Sequence, residues 1–128
     1  MTNTIKITIP LAPRTKKNGM RILKTREGRP FLMPSKAYKQ YEAECKRIIK
    51  NASEPIAEPA NVKMIFYMDT RRRVDLVNLQ EACLDILVNC GVLLDDNSKI
   101  VQSMDGSIVK YDKDNPRTEI TIDILENS

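Results

Sequence analysis

The sequence predicts an α+β fold: a single domain over residues 1–128, with a small mixed β-sheet and two main α-helices packed on it. Three observations lead there. Stretches near the start, middle and end alternate apolar with polar residues, the period of a half-buried strand. Two longer stretches place apolar residues at helical spacing. No internal repeat or low-complexity segment divides the chain, and a length of 128 residues fits one compact core.

Ile5-Lys6-Ile7-Thr8-Ile9 alternates β-branched and polar residues and reads as a strand that Pro10 and Pro13 end. The basic segment Arg14-Thr15-Lys16-Lys17 follows, with turn chemistry at Asn18-Gly19. Residues 21–25 and 30–33 are expected to pair as a hairpin around Glu27-Gly28. Ser35 is a suitable N-cap for a helix to about Lys50, whose apolar stripe is Tyr38, Tyr41, Cys45, Ile48 and Ile49. Residues 51–61, with two prolines, read as a linker. Residues 62–68 form the clearest strand and run into the charged loop 69–74. A second helix is expected from Asp75 to about Cys90, with Leu76, Leu79, Cys83, Ile86, Leu87 and Cys90 inward and Gly91 as its stop. Asp95-Asp96-Asn97-Ser98 reads as a turn. Residues 99–104 and 119–124 read as closing strands, separated by a turn at 112–116.

Composition narrows the function. Hydrophobic residues make up 41% and charged residues 30%, as in an ordinary folded soluble protein. With only Phe31, Phe66 and four Tyr for aromatic bulk, the core is expected to be aliphatic. The absence of His excludes His-based triads and His-ligated zinc, so hydrolysis would fall to carboxylates, a hard metal ion, or Lys and Tyr. Cys45, Cys83 and Cys90 are an odd set, which argues against a disulfide framework; small buried hydrophobes in a reducing cytoplasm are expected instead. No apolar run is long enough to span a bilayer, and the N-terminus lacks the pattern of a signal peptide, so no membrane partner and a cytoplasmic location are expected.

The charge is divided. Residues 1–50 carry 13 Lys/Arg against 3 acids, and residues 51–128 carry 8 against 14. A basic half that attracts phosphate, joined to an acidic half that holds a cation, suits a metal-dependent nuclease. Two solvated faces that neutralise each other would give the same totals.

Asp75, Asn78, Glu81, Asp85 and Asn89 lie at the start and along the polar face of the second helix. Carboxylates held close repel, and a divalent cation such as Mg²⁺, which takes oxygen ligands, removes that cost. An exposed helix face is also ordinarily polar, and an acid at a helix N-terminus favours the dipole without any metal. Asp95 and Asp96 follow within a few residues and either turn back toward Asp75 or another subunit's site, or form an ordinary Asx turn. Arg71, Arg72 and Arg73 either hold phosphate by bidentate contacts or balance nearby acids; Arg14, Lys16 and Lys17 have the same two readings.

The order Arg71-Arg72-Arg73, Asp75, Asn78-Leu79, Asp85-Ile86-Leu87 and Asp95-Asp96 resembles the signature of the RusA family of Holliday junction resolvases. That signature is an Arg-rich run, Asp-x-Asp-Asn-Leu, a Lys three residues after the Asn, Asp-x-Leu on the same helix, and a later Asp-Asp. The likeness covers most of the chain, including the opening strand and its Pro-rich turn. It implies a homodimer, bacterial or phage-encoded, that binds four-way DNA junctions and cuts two strands symmetrically with Mg²⁺, Mn²⁺ being a possible substitute. It implies metal-binding roles for Asp75 and Asp96, with Asp95 beside Asp96 and with Asn78 and Asp85 as further matching positions. Arg14, Lys16, Lys17 and Arg71 to Arg73 are the expected DNA contacts.

Two positions depart. Val77 replaces the second Asp of Asp-x-Asp, and Glu81 replaces the Lys. Val cannot ligate a metal, but residues four apart are neighbours on a helix, so Glu81 is expected to return the lost carboxylate as a metal ligand and catalytic residue. The alternative is a catalytically impaired RusA-like protein that binds branched DNA without cutting it.

Overall fold

The computed structural model describes residues 3–16, 21–33, 35–49 and 54–125. In chain order its elements are β1 (Thr4–Ile9), β2 (Arg21–Lys24), β3 (Pro30–Met33), α1 (Lys36–Ile48), β4 (Ala60–Met68), α2 (Leu76–Asn89), β5 (Val101–Ser103), β6 (Ile108–Tyr111) and β7 (Arg117–Ile124). The expected mixed α+β architecture is present. β1, β7 and β4 are successive antiparallel neighbours, and β5 and β6 both pair parallel to the far side of β4.

The alternation in β4 explains its central place. Ala60, Val62, Met64 and Phe66 are buried, while Asn61, Lys63, Ile65 and Tyr67 are half-buried. Register sets Val62, Met64 and Phe66 against Ile122, Ile120 and Thr118 of β7, so one inward row faces the next. These rows share one core with Tyr38, Tyr41 and Cys45 of α1 and with Leu79, Cys83, Ile86 and Leu87 of α2. Ser35 caps α1 as expected, its side chain accepting from the Tyr38 amide at 3.1 Å. Ile48 ends the α1 stripe 39% exposed, whereas Ile49 is buried. The core is mainly aliphatic, yet Tyr38 and Phe66 are its two largest fully buried side chains.

Four features differ from the sequence expectation. The β2–β3 hairpin forms a two-stranded sheet of its own instead of joining the main one. Strand β4 begins at Ala60, and the preceding segment is more than a linker: Ile56 bridges to Leu93, with the Ile56 amide 2.9 Å from the Val92 carbonyl and the Leu94 amide 3.0 Å from the Ile56 carbonyl. The strand expected over 99–104 shrinks to Val101–Ser103 because the Asn97 carbonyl accepts the Ile100 and Val101 amides in a turn. Strand β6 was not expected at all. It continues along the same edge of β4 after a turn pinned by Asn61, whose side chain accepts from Ser103 Oγ at 2.6 Å and from the Asp105 amide at 2.8 Å. Gly106 permits the turn between β5 and β6 at φ 89°, where a Cβ would lie 2.7 Å from Lys63 Cδ. The turn at Asn18-Gly19 lies outside the described residues.

Cys45, Cys83 and Cys90 are free and buried, as expected of small core hydrophobes. Burial pushes the Cys45 thiol up to about 11 and raises Cys83 and Cys90 as well. A thiol reagent at roughly pH 8 should therefore label none of the three in the native chain and all of them in denaturant; rapid native labelling would contradict this packing.

Candidate functional site

Strand β4 delivers the chain to the site. After Met68 it leaves the sheet through residues 69–74 and enters α2 with Asp75 at the N-cap. Asp75 has the extended backbone of a cap, φ −85° and ψ 123°, but its side chain makes no capping bond. Its exposed carboxylate instead accepts from Asn78 Nδ2 at 3.2 Å. A carboxylate at this end of a helix sits in the favourable part of the dipole field, and here it keeps lone pairs facing outward.

The three consecutive arginines separate. Arg71 lies over the ring of Tyr111, 4.0 Å from its centroid, where β6 ends beside Met68. Arg72 and Arg73 line a cleft of about 410 Å³ with Arg14 from the loop after β1 and with Ser35, Ala37 and Tyr38 from the start of α1. Asp69 lines it too, one carboxylate against three guanidinium groups. A second stack braces the neighbouring strands: Arg117 lies 3.7 Å from the Tyr67 centroid and bonds Glu119 at 2.8 Å and Asp112 at 2.9 Å. The Arg117 guanidinium holds the Asp112 carboxyl below its usual range.

The other expected site residues fall into separate groups. Lys16 forms an ion pair with Asp85 on α2, which ties the basic loop to the helix and joins an expected DNA contact to an expected metal ligand. Glu81 is exposed on the intervening turn of the helix, and Val77, four residues before it, is 61% exposed. Asp95 and Asp96 occupy an exposed bend. The Asp95 carboxylate accepts from the Asp96 amide at 2.8 Å and from Asn97 Nδ2 at 3.1 Å, and the former bond chiefly lowers its pKa. Among the described residues no three acids or thiols gather into a metal-holding group, so Asp75, Asp95 and Asp96 do not form one within a protomer. Lys17 lies outside the described residues.

Sequence reasoning did not single out Tyr111 or Tyr67 beneath their arginines, or the start of α1 as a wall of the cleft. The only signal was an aromatic residue at a strand end; the partner depended on β6, which was itself unseen.

Comparison with known proteins settles the family. The profile described as Endodeoxyribonuclease RusA matches residues 10–123. The chain belongs to the RusA family of endodeoxyribonucleases. Among its RusA relatives, the crossover junction endodeoxyribonucleases of Shigella sonnei strain Ss046 and Escherichia coli strain K12 are each 35% identical over 128 residues, covering 98% of both chains. The crossover junction endodeoxyribonuclease of Enterobacteria phage 82 is 34% identical over the same length and coverage. The RusA chain described here is thus a nuclease whose Asp75 carboxylate and basic cleft flank one loop. No helix among its described residues is long and apolar enough to cross a membrane.

Proposed function

We propose that this chain is a Mg²⁺-dependent, structure-selective endonuclease that resolves four-way DNA junctions by paired, symmetric phosphodiester hydrolysis. The observation that carries the reading is Asp75: an uncapping, outward-facing carboxylate placed by the same loop that directs Arg72 and Arg73 into the basic cleft. The names of the relatives supply the substrate class.

The available donors suit a hard cation. The chain has no His, its thiols are buried, and oxygen donors stand at the start of α2 and in the bend beyond it. Mg²⁺ keeps several waters and needs only one or two carboxylates, so Asp75 and Asp96 would be its main protein ligands, with Asn78 and Glu81 on the same helix end and Asp95 beside Asp96. Asp85, paired with Lys16, is assigned to holding the basic loop against α2. Once bound, the cation supplies an activated water and offsets charge developing on the phosphate; Mn²⁺, which also favours oxygen donors, would substitute. A homodimer meets two needs: paired cuts require two sites, and a second copy can complete a donor set that one protomer leaves short.

The chain's own task is positioning. Arg14, Arg72 and Arg73 hold backbone phosphate in the cleft, and Arg71, fixed on Tyr111, extends the positive edge. Selectivity then comes from junction shape more than from base readout.

A synthetic four-way junction with labelled strands tests this. Added Mg²⁺ should produce symmetric cuts in two opposing strands, and a chelator should abolish them without abolishing salt-sensitive binding. Binding without cutting at any Mg²⁺ or Mn²⁺ concentration would favour the impaired reading, to which the exposed apolar Val77 at the helix start lends support.

A further inference from the structure

The β2–β3 hairpin carries the two most exposed large apolar side chains among the described residues. Ile22 is 71% exposed and Leu32 63% exposed. They are direct register partners, so they share one face of the ribbon. The other face, with the Leu23–Phe31 pair, is more buried. An isolated two-stranded hairpin is marginal in water, and an unsupported apolar pair on its outer face does nothing to hold it. Such a pair on a two-stranded ribbon outside the main sheet is explained by something that covers it.

Charge identifies the occupant. Lys24 shares the face of Ile22, and Arg26 and Arg29 flank the turn, all exposed, against the single acid Glu27. Two copies meeting through this face would bring like charges together, whereas a polyanion would be drawn to it. The hairpin is also continuous with the basic cleft: β3 leads into Ser35 and Ala37, which line that cleft beside Arg14, Arg72 and Arg73. DNA held in the cleft therefore passes the root of the hairpin.

We propose that the hairpin is a wedge for branched DNA, in which Ile22 and Leu32 insert between base pairs at the branch point while Lys24, Arg26 and Arg29 hold the flanking phosphates. Branched apolar side chains suit this task, since they can replace a stacked base neighbour and stabilise a kinked step. Unstacking is cheapest where stacking is already interrupted, so such a wedge would favour a branch over a continuous duplex without reading sequence. The proposal rests on the junction-directed function above and adds the element that recognises the branch.

The test uses the full chain and a four-way junction carrying 2-aminopurine either at the branch point or within one arm, without divalent metal so that strands stay intact. The fluorescence of this base rises when it unstacks. Saturating wild-type chain should brighten the branch-point probe severalfold and leave the arm probe unchanged. The double variant Ile22→Ser, Leu32→Ser should bind linear duplex within about threefold of wild type, as exposed substitutions generally allow. It should lose the brightening, and its preference for junction over linear duplex should fall roughly tenfold. Ile22→Leu, Leu32→Met should keep both. Junction binding by wild type with no brightening, or equal brightening by the double variant, would overturn the wedge and leave the nuclease reading standing. Failure of wild type to bind junctions at all would strike that reading itself and the wedge with it. If the double variant changed a sedimenting dimer into a monomer, the face would be a contact between copies and the wedge would be wrong.

Discussion

Asp75→Asn is expected to lower junction cleavage by about a thousandfold or more while leaving junction binding intact. A carboxylate that holds the catalytic cation underlies several kcal/mol of transition-state stabilisation, and each 1.36 kcal/mol is about tenfold in rate. Asn keeps the size of the side chain and is an equally good N-cap, so α2 should remain folded. Removing a negative charge beside the DNA path should leave affinity unchanged or raise it slightly. The measurement is single-turnover cleavage in saturating Mg²⁺, with binding followed separately by anisotropy. Glu81→Gln belongs in the same series. If Glu81 supplies the carboxylate that Val77 cannot, its loss should be comparable to that of Asp75. Full cleavage by Glu81→Gln would remove the compensation idea but leave Asp75 in place, whereas full cleavage by Asp75→Asn would end the metal reading at this helix.

What the sequence disclosed follows from periodicity. α2 could be placed almost to the residue because Leu79, Cys83, Ile86 and Leu87 recur at helical spacing between an acidic start and Gly91. β4 was equally plain, since its buried positions alternate without interruption. The ordered series from Arg71 to Asp96 pointed to the family that the comparisons then established. β6 was hidden because its pattern is exposed, half-buried, exposed, exposed, and its pairing with β4 depends on the distant side chain of Asn61. The independence of the hairpin was hidden for a related reason: a strand's own sequence does not state which sheet it joins. The division of the three arginines was also illegible. Consecutive residues of one type are equivalent in sequence, and only Tyr111 on one side and the start of α1 on the other distinguish them. The pairing of Lys16 with Asp85 could not be foreseen because the partners lie 69 residues apart.

Phe66→Ala should cost about 3–5 kcal/mol, the usual range for truncating a buried Phe. Against a total stability of about 5–15 kcal/mol for a domain, that is a large share. Phe66 is 2% exposed on the inward row of the central strand, facing Thr118 of β7 on one side and Val109 of β6 on the other. The midpoint of thermal unfolding should fall by roughly 10–20 °C, and the urea midpoint should fall without a change in slope. Phe31→Ala is the control: its side chain is 40% exposed on the hairpin, and its cost should stay below about 1 kcal/mol. Both chains must be compared at one protein concentration, because assembly of a homodimer would make either midpoint concentration-dependent. The two phenylalanines should also separate function from stability. β4 ends two residues after Phe66 and leads directly into the arginine loop and Asp75, so the variant should cut junctions near the normal rate where it is folded and abruptly lose activity at its lowered midpoint. A shift no larger than that of Phe31→Ala would mean that β4 does not anchor the core. A proportionate loss of cleavage far below the midpoint would mean that the loop geometry depends on Phe66 directly.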